Sequence, residues 1–173
     1  MNLMRTFKLQ LILLFITAGF IQCTTSNKLQ SKINLEKSKE IALLVESQEF
    51  KFVAQKAFPQ GYNAIDLTTN YNFIEFSPNL IKSEMPFFGR GYSGIAYGGD
   101  QGLSFKGKPI TYIIKKGNKK NELNANVRGD RDVFKIYLSI LLNGSATLTI
   151  YSNNRSSISY FGTISKIENK KDY

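Results

Sequence analysis

Apolar residues recur along this chain with two different periods. Ile41, Leu44 and Val45 fall on one face at helical spacing, while Lys37, Lys39, Glu40 and Glu46 face outward. Asn34 stands where a cap belongs, with Glu36 in the first turn. The spacing predicts one amphipathic helix over about 34–48. Beyond Gln48 the period falls to two. Phe50, Phe52 and Ala54 alternate with Lys51, Val53 and Gln55, and Tyr71, Phe73 and Glu75 with Asn72, Ile74 and Phe76. The alternation resumes at Leu103 and Phe105, at Ile110, Tyr112 and Ile114, and at Leu123, Ala125 and Val127. Turn signals separate these runs: Pro59-Gln60-Gly61, Ser77-Pro78-Asn79, Lys106-Gly107-Lys108-Pro109 and Gly117-Asn118. The pattern predicts a mainly β domain, one helix followed by an antiparallel meander of about eight or nine strands. Such a meander closes as a barrel or folds as a β-sandwich.

One hairpin can be read to its register. In FKIYLSILLNGSATLTIY, Phe134, Ile136, Leu138 and Ile140 form one apolar row, and Ala146, Leu148 and Ile150 another. A two-residue Asn143-Gly144 loop sets Leu138 opposite Thr149 and mixes the faces. A three-residue loop, Leu142-Asn143-Gly144, sets Ile140 opposite Ala146, Leu138 opposite Leu148 and Ile136 opposite Ile150, which keeps apolar against apolar. That register requires Gly144 in a left-handed conformation. The other face then carries Lys135, Tyr137, Ser139, Thr147, Thr149 and Tyr151, a wet surface or a ligand-facing wall.

The N-terminus is set apart from this domain. Arg5 and Lys8 precede the uncharged stretch LQLILLFITAGFIQ, which ends at the sole cysteine, Cys23. A basic start, a short apolar core and a small-residue zone have the form of a secretory signal over 1–22. The position of Cys23 resembles a bacterial lipobox, in which the cysteine is acylated, although Gln22 stands where that pattern has a small residue. The other reading is an ordinary secretory signal cut nearby. The expected organisation is a signal at 1–22, a lipid anchor and polar tether at 23–33, a single domain at 34–166 and a polar tail at 167–173. Without its signal the chain keeps 21 basic against 13 acidic residues, a net +8. The lysines are scattered at turns and strand ends, so they are read as solvated surface. Weak attraction to anionic headgroups or acidic glycans is the sharper alternative. An exported address argues against nucleic acid as a partner.

GRGYSG at Gly89–Gly94 matches the dinucleotide fingerprint G-x-G-x-x-G. That fingerprint works only with a helix N-terminus behind the glycines and a βαβ unit around them. After Gly94 the chain reads IAYGGDQG, with no helical run, so nucleotide binding is excluded. The glycines, crowded with Phe87, Phe88, Tyr92 and Tyr97, suit a long irregular connection across a barrel mouth. Its functional version offers Arg90, Tyr92, Tyr97 and Asp100 to a ligand, the tyrosines as flat surface and Arg90 as a grip for an anionic group. The blocks EIALLVESQEFKFVAQKAFPQG, AIDLTTNY, PFFGRGYSGIAYGGDQGLSF and NGSATLTIYSNNRSSISYFGTI resemble domain-of-unknown-function family 4251, small exported proteins mostly of Bacteroidetes. The resemblance runs from about Glu40 to Ile164. It implies lipoproteins with a lipocalin-like barrel, and it carries over no catalytic or binding residue because the family's function is not established.

The chain has no histidine, which removes Ser-His-Asp and Cys-His catalysis and the usual zinc sites, and no cofactor is expected. Asp130 and Asp132 in VRGDRDV have the spacing of a carboxylate pair, but they read as a hairpin turn. Asp66, Glu75 and Glu84 are isolated, and no calcium loop occurs. The first expectation is therefore a non-enzymatic periplasmic or outer-membrane binding module, anchored to the membrane at Cys23. It would hold a small apolar or amphipathic ligand at the barrel mouth. The alternative is a structural lipoprotein contacting an envelope protein, with a filled barrel and an exposed patch. An enzyme ranks third.

Overall fold

The computed structural model describes residues 25–92, 102–129 and 132–168, with side chains from Gln30 onward. The chain divides into two units, Met1–Glu36 and Lys37–Tyr173. The helix α1, Thr25–Ser47, runs through the division. It starts nine residues before the expected Asn34 cap, because the stretch from Thr25 to Ile33 contains neither Gly nor Pro. Asn34 caps nothing; its side chain accepts from Gln30 Nε2 at 3.2 Å, one turn back. The expected tether is thus helical from Thr25 on. Within the second unit Ile41 and Val45 are buried and Leu44 half-buried, the face read from the spacing. Gln48, at φ 59°, breaks the helix in the left-handed region without a glycine.

Among the described residues ten strands come after the helix: β1 (Phe50–Pro59), β2 (Ile65–Asp66), β3 (Phe73–Phe76), β4 (Ile81–Met85), β5 (Leu103–Gly107), β6 (Pro109–Lys115), β7 (Lys120–Arg128), β8 (Val133–Leu141), β9 (Ser145–Ser152) and β10 (Ile158–Ser165). Every ladder is antiparallel. Their order is β5-β4-β3-β1-β10-β9-β8-β7-β6, with the two-residue β2 as a spur on β1. The main path thus holds nine strands, against the eight or nine expected. Both ends of that order, β5 and β6, are neighbours in sequence separated only by Lys108. The sheet of the second unit therefore comes back on itself as a nearly closed barrel. Across the seam Phe105 of β5 stacks on Phe134 of β8, with ring centroids 4.1 Å apart and planes at 12°.

The alternation puts one row of each strand inside. Phe50, Phe52, Ile74, Phe76, Leu123, Leu138, Leu148 and Tyr160 are fully buried. In β1 the register slips between Ala54 and Lys56, so the inward row shifts from Phe50, Phe52 and Ala54 to Ala57 and Pro59. That bulge lets one long strand keep both of its halves facing the core. The β8–β9 hairpin has the register derived from its sequence: Ile140 opposite Ala146, Leu138 opposite Leu148, Ile136 opposite Ile150. Gly144 takes φ 87° and donates its N–H to Leu141 O at 2.9 Å. Ile41 of α1 packs on Gly144, so helix and hairpin turn meet at one end of the barrel.

Candidate functional site

The end away from α1 is crossed by the first part of the glycine-aromatic stretch. Residues Arg90 to Tyr92 run beside the β9–β10 turn as a short extra rung. Arg90 N–H donates to Ser156 Oγ at 3.1 Å, Ser156 N–H to Arg90 O at 2.9 Å, and Tyr92 N–H to Asn154 O at 2.7 Å. Gly89 permits this approach, since a Cβ there would stand 2.5 Å from Ser156 Oγ and 2.7 Å from the Phe87 ring. Phe87 is buried beneath the Arg155 guanidinium, 5.3 Å from its ring centroid, and Arg155 Nη1 donates to Gly102 O at 2.7 Å. Below them the Tyr160 hydroxyl donates to Pro86 O at 2.5 Å, and burial pushes its phenol far above the ordinary range. Gly89 thus serves close backbone packing on a barrel end.

Of the residues proposed from sequence to meet a ligand here, Arg90 and Tyr92 have exposed side chains. Tyr97, Asp100, Gly94 and the acylation candidate Cys23 lie outside the described residues. Asp130 does so too. Asp132 sits in the β7–β8 turn, as its sequence context implies, where its carboxylate accepts from Val133 N–H at 2.7 Å, Asn153 N–H at 3.2 Å and the Ser152 hydroxyl. It ties the β7–β8 turn to the β9–β10 turn through three bonds accepted from the chain itself.

That junction braces a hollow on the outer face of the sheet. Lys135, Tyr137, Tyr151 and Asn153 line about 330 Å³ of space. Tyr137 and Tyr151 meet edge to face, centroids 5.6 Å apart at 86°, and each is 47% exposed. Lys135 stands directly opposite Tyr151, and Tyr137 opposite Thr149. A second hollow of about 380 Å³ shares Tyr137 and continues towards Glu122, Asn124, Ser139 and Thr147. Together they form a trough over β7, β8 and β9, with Tyr137 as the ridge between its halves. The Lys120 ammonium, 2.6 Å from the Glu122 carboxylate, holds that acid below the usual carboxylate range. Thr149 and Ser159 share a hydroxyl bond of 2.9 Å, which fixes the trough's far wall.

The row Lys135, Tyr137, Ser139, Thr147, Thr149 and Tyr151 was readable from the hairpin alone. Glu122, Asn124 and Asn153 were not, because they join the site only through the β7–β8 pairing and the bond from Asp132 to the turn backbone. Among the described residues no group of three or more acidic or sulfur side chains is placed to hold a metal ion. Nor is any described helix long and apolar enough to cross a membrane.

A family model described as a domain of unknown function, DUF4251, matches residues 32–164. Among solved structures the chain is similar to a crystal structure of a DUF4251 family protein from Bacteroides eggerthii DSM 20697. The two are 15% identical with a TM-score of 0.57, over 74% of this chain and 86% of that one. At that identity the likeness concerns the fold. No curated protein matches the chain.

Proposed function

This chain belongs to the DUF4251 family, and we propose that it is a non-enzymatic binding module of the cell envelope, anchored through Cys23, whose ligand lies in the trough over β7–β9. The observation that carries this reading is the pair of hollows joined at Tyr137. A ligand suited to them has flat apolar faces and hydroxyl-bearing edges, as a saccharide does. Tyr137 and Tyr151 supply rings for the faces, while Asn124, Asn153, Ser139 and Thr147 supply donors and acceptors for the edges. Lys135 adds attraction for a carboxylate or sulfate on the ligand. The barrel interior is occupied by large side chains such as Tyr160, Phe50 and Phe52, which favours the outer face over the mouth as the place for a ligand. A second reading, contact with an envelope protein, is favoured by Phe58 and Phe161. They lie diagonally across β1 and β10 on the outer face and are 44% and 38% exposed.

The test is calorimetric titration of the purified protein with neutral and uronate-bearing oligosaccharides. Tyr137→Ala and Tyr151→Ala should each weaken binding about tenfold while leaving the melting temperature within a few degrees. Arg90→Ala and Tyr92→Ala should leave it unchanged. Binding lost in the Arg90 and Tyr92 variants and kept in the other two would return the site to the barrel end.

A further inference from the structure

The end of the barrel that meets α1 has a different chemistry. Lys115, Lys116, Lys119 and Lys120 crowd the β6–β7 turn around a hollow of about 220 Å³, and all four are exposed. Lys120 pairs in register with Leu141, so the β8–β9 turn lies beside them. On that turn Leu141 and Leu142 are 46% and 40% exposed. Lys37 of α1 reaches the same place, its Cε 3.9 Å from where a Cβ on Gly144 would stand. Of the carboxylates near these lysines, Glu46 is 3.3 Å from Lys116, Glu122 is 2.6 Å from Lys120, and Glu49 lies beside Tyr112. Lys115 stands opposite Glu122 in the β6–β7 register and shares that acid with Lys120, while among the described residues Lys119 is in no ion pair.

Two amides at this end are engaged by the turns themselves, while Asn118 stays exposed beside the lysines. The Asn121 amide oxygen accepts from Gly117 N–H at 3.3 Å, and that of Asn143 from Ser145 N–H at 3.0 Å. The outward side is positive charge on long aliphatic stems, set around leucine tips. This combination suits a fluid, negatively charged surface better than a folded partner, because ammonium groups can reach phosphates while leucines enter the acyl boundary. We propose that this end docks on a bilayer rich in anionic phospholipid, with Leu141 and Leu142 entering the headgroup layer and Lys37, Lys115, Lys116, Lys119 and Lys120 gripping its phosphates. The inference rests on different observations from the trough, although the two hollows share Glu122.

The chain has no tryptophan, so a single introduced one reports on its own surroundings. In full-length protein, emission from Leu142→Trp should move to the blue on vesicles of equimolar phosphatidylcholine and phosphatidylglycerol, and stay put on phosphatidylcholine alone. Tyr62→Trp, just past the far end of β1, should not respond to either. Replacing Lys115, Lys116, Lys119 and Lys120 by Gln should weaken binding to the mixed vesicles by about tenfold or more. A charge-matched variant at Lys56, Lys82, Lys106 and Lys108 should weaken it far less. Circular dichroism melts establish that both variants fold, and the tryptophan shift reads the same face without removing any lysine. The proposal is overturned by an unshifted Leu142→Trp, by equal shifts on both lipids, or by equal losses in the two lysine variants. An equal shift on soluble polyglutamate would reassign the face to an acidic protein.

Discussion

Two tyrosines, Tyr160 buried and Tyr112 half-buried, respond to alkaline pH. Tyr112 donates to Gln48 O at 2.8 Å and Tyr160 to Pro86 O. Burial raises both phenols, aided at Tyr112 by Glu49 and opposed at Tyr160 by Arg155. In the unfolded chain each ionises near 10, whereas the folded chain resists ionisation to higher pH. Their contribution is therefore complete below pH 10 and drains away as pH rises through the folded values. Alkaline titration followed by phenolate absorbance should show two of the nine tyrosines ionising late, together with unfolding. Tyr160→Phe should cost about 1 kcal/mol at neutral pH, through the lost bond to Pro86, and should blunt the alkaline loss. None of this was legible in the sequence. A tyrosine in an alternating strand has the same pattern whether its hydroxyl meets water or a carbonyl 74 residues away.

At the scale of elements, legibility followed local geometry. The β8–β9 register could be derived because two apolar rows and one glycine leave a single arrangement that keeps faces apart. Gly144→Ala tests the turn: strain at φ 87° and the contact with Ile41 should together cost about 2 kcal/mol in urea unfolding, with the slope unchanged. The start of α1 was misplaced for the opposite reason. Residues 25–33 have no apolar stripe to read, and their helicity rests on propensity and continuity with the next turn. The trough was half legible. Tyr137 and Tyr151 follow from the hairpin's alternation, but their neighbours on β7 and the β9–β10 turn arrive through pairings that no short stretch encodes.

For the molecule as a whole, the decisive feature is how the sheet closes. Alternation foretold a meander, and the order β5-β4-β3-β1-β10-β9-β8-β7-β6 is one, except that its first and last strands meet in the middle. Closure then depends on contacts across the seam, above all the Phe105–Phe134 stack. Phe105→Ala should cost about 3 kcal/mol and speed amide exchange in β4 and β5 more than in β9 and β10. The pairing of β1 with β10 also matters in time as well as in space. Lys51 waits for Ser165, and Phe52 for Ile164, more than a hundred positions further along. A chain emerging in order from its N-terminus can zip β6 to β9 as successive hairpins, yet its first strand stays without its main neighbour until the last has been made. Cooperative assembly of the barrel is thereby deferred to the end of synthesis, and a chain cut short before β10 forfeits the fold rather than a margin of it.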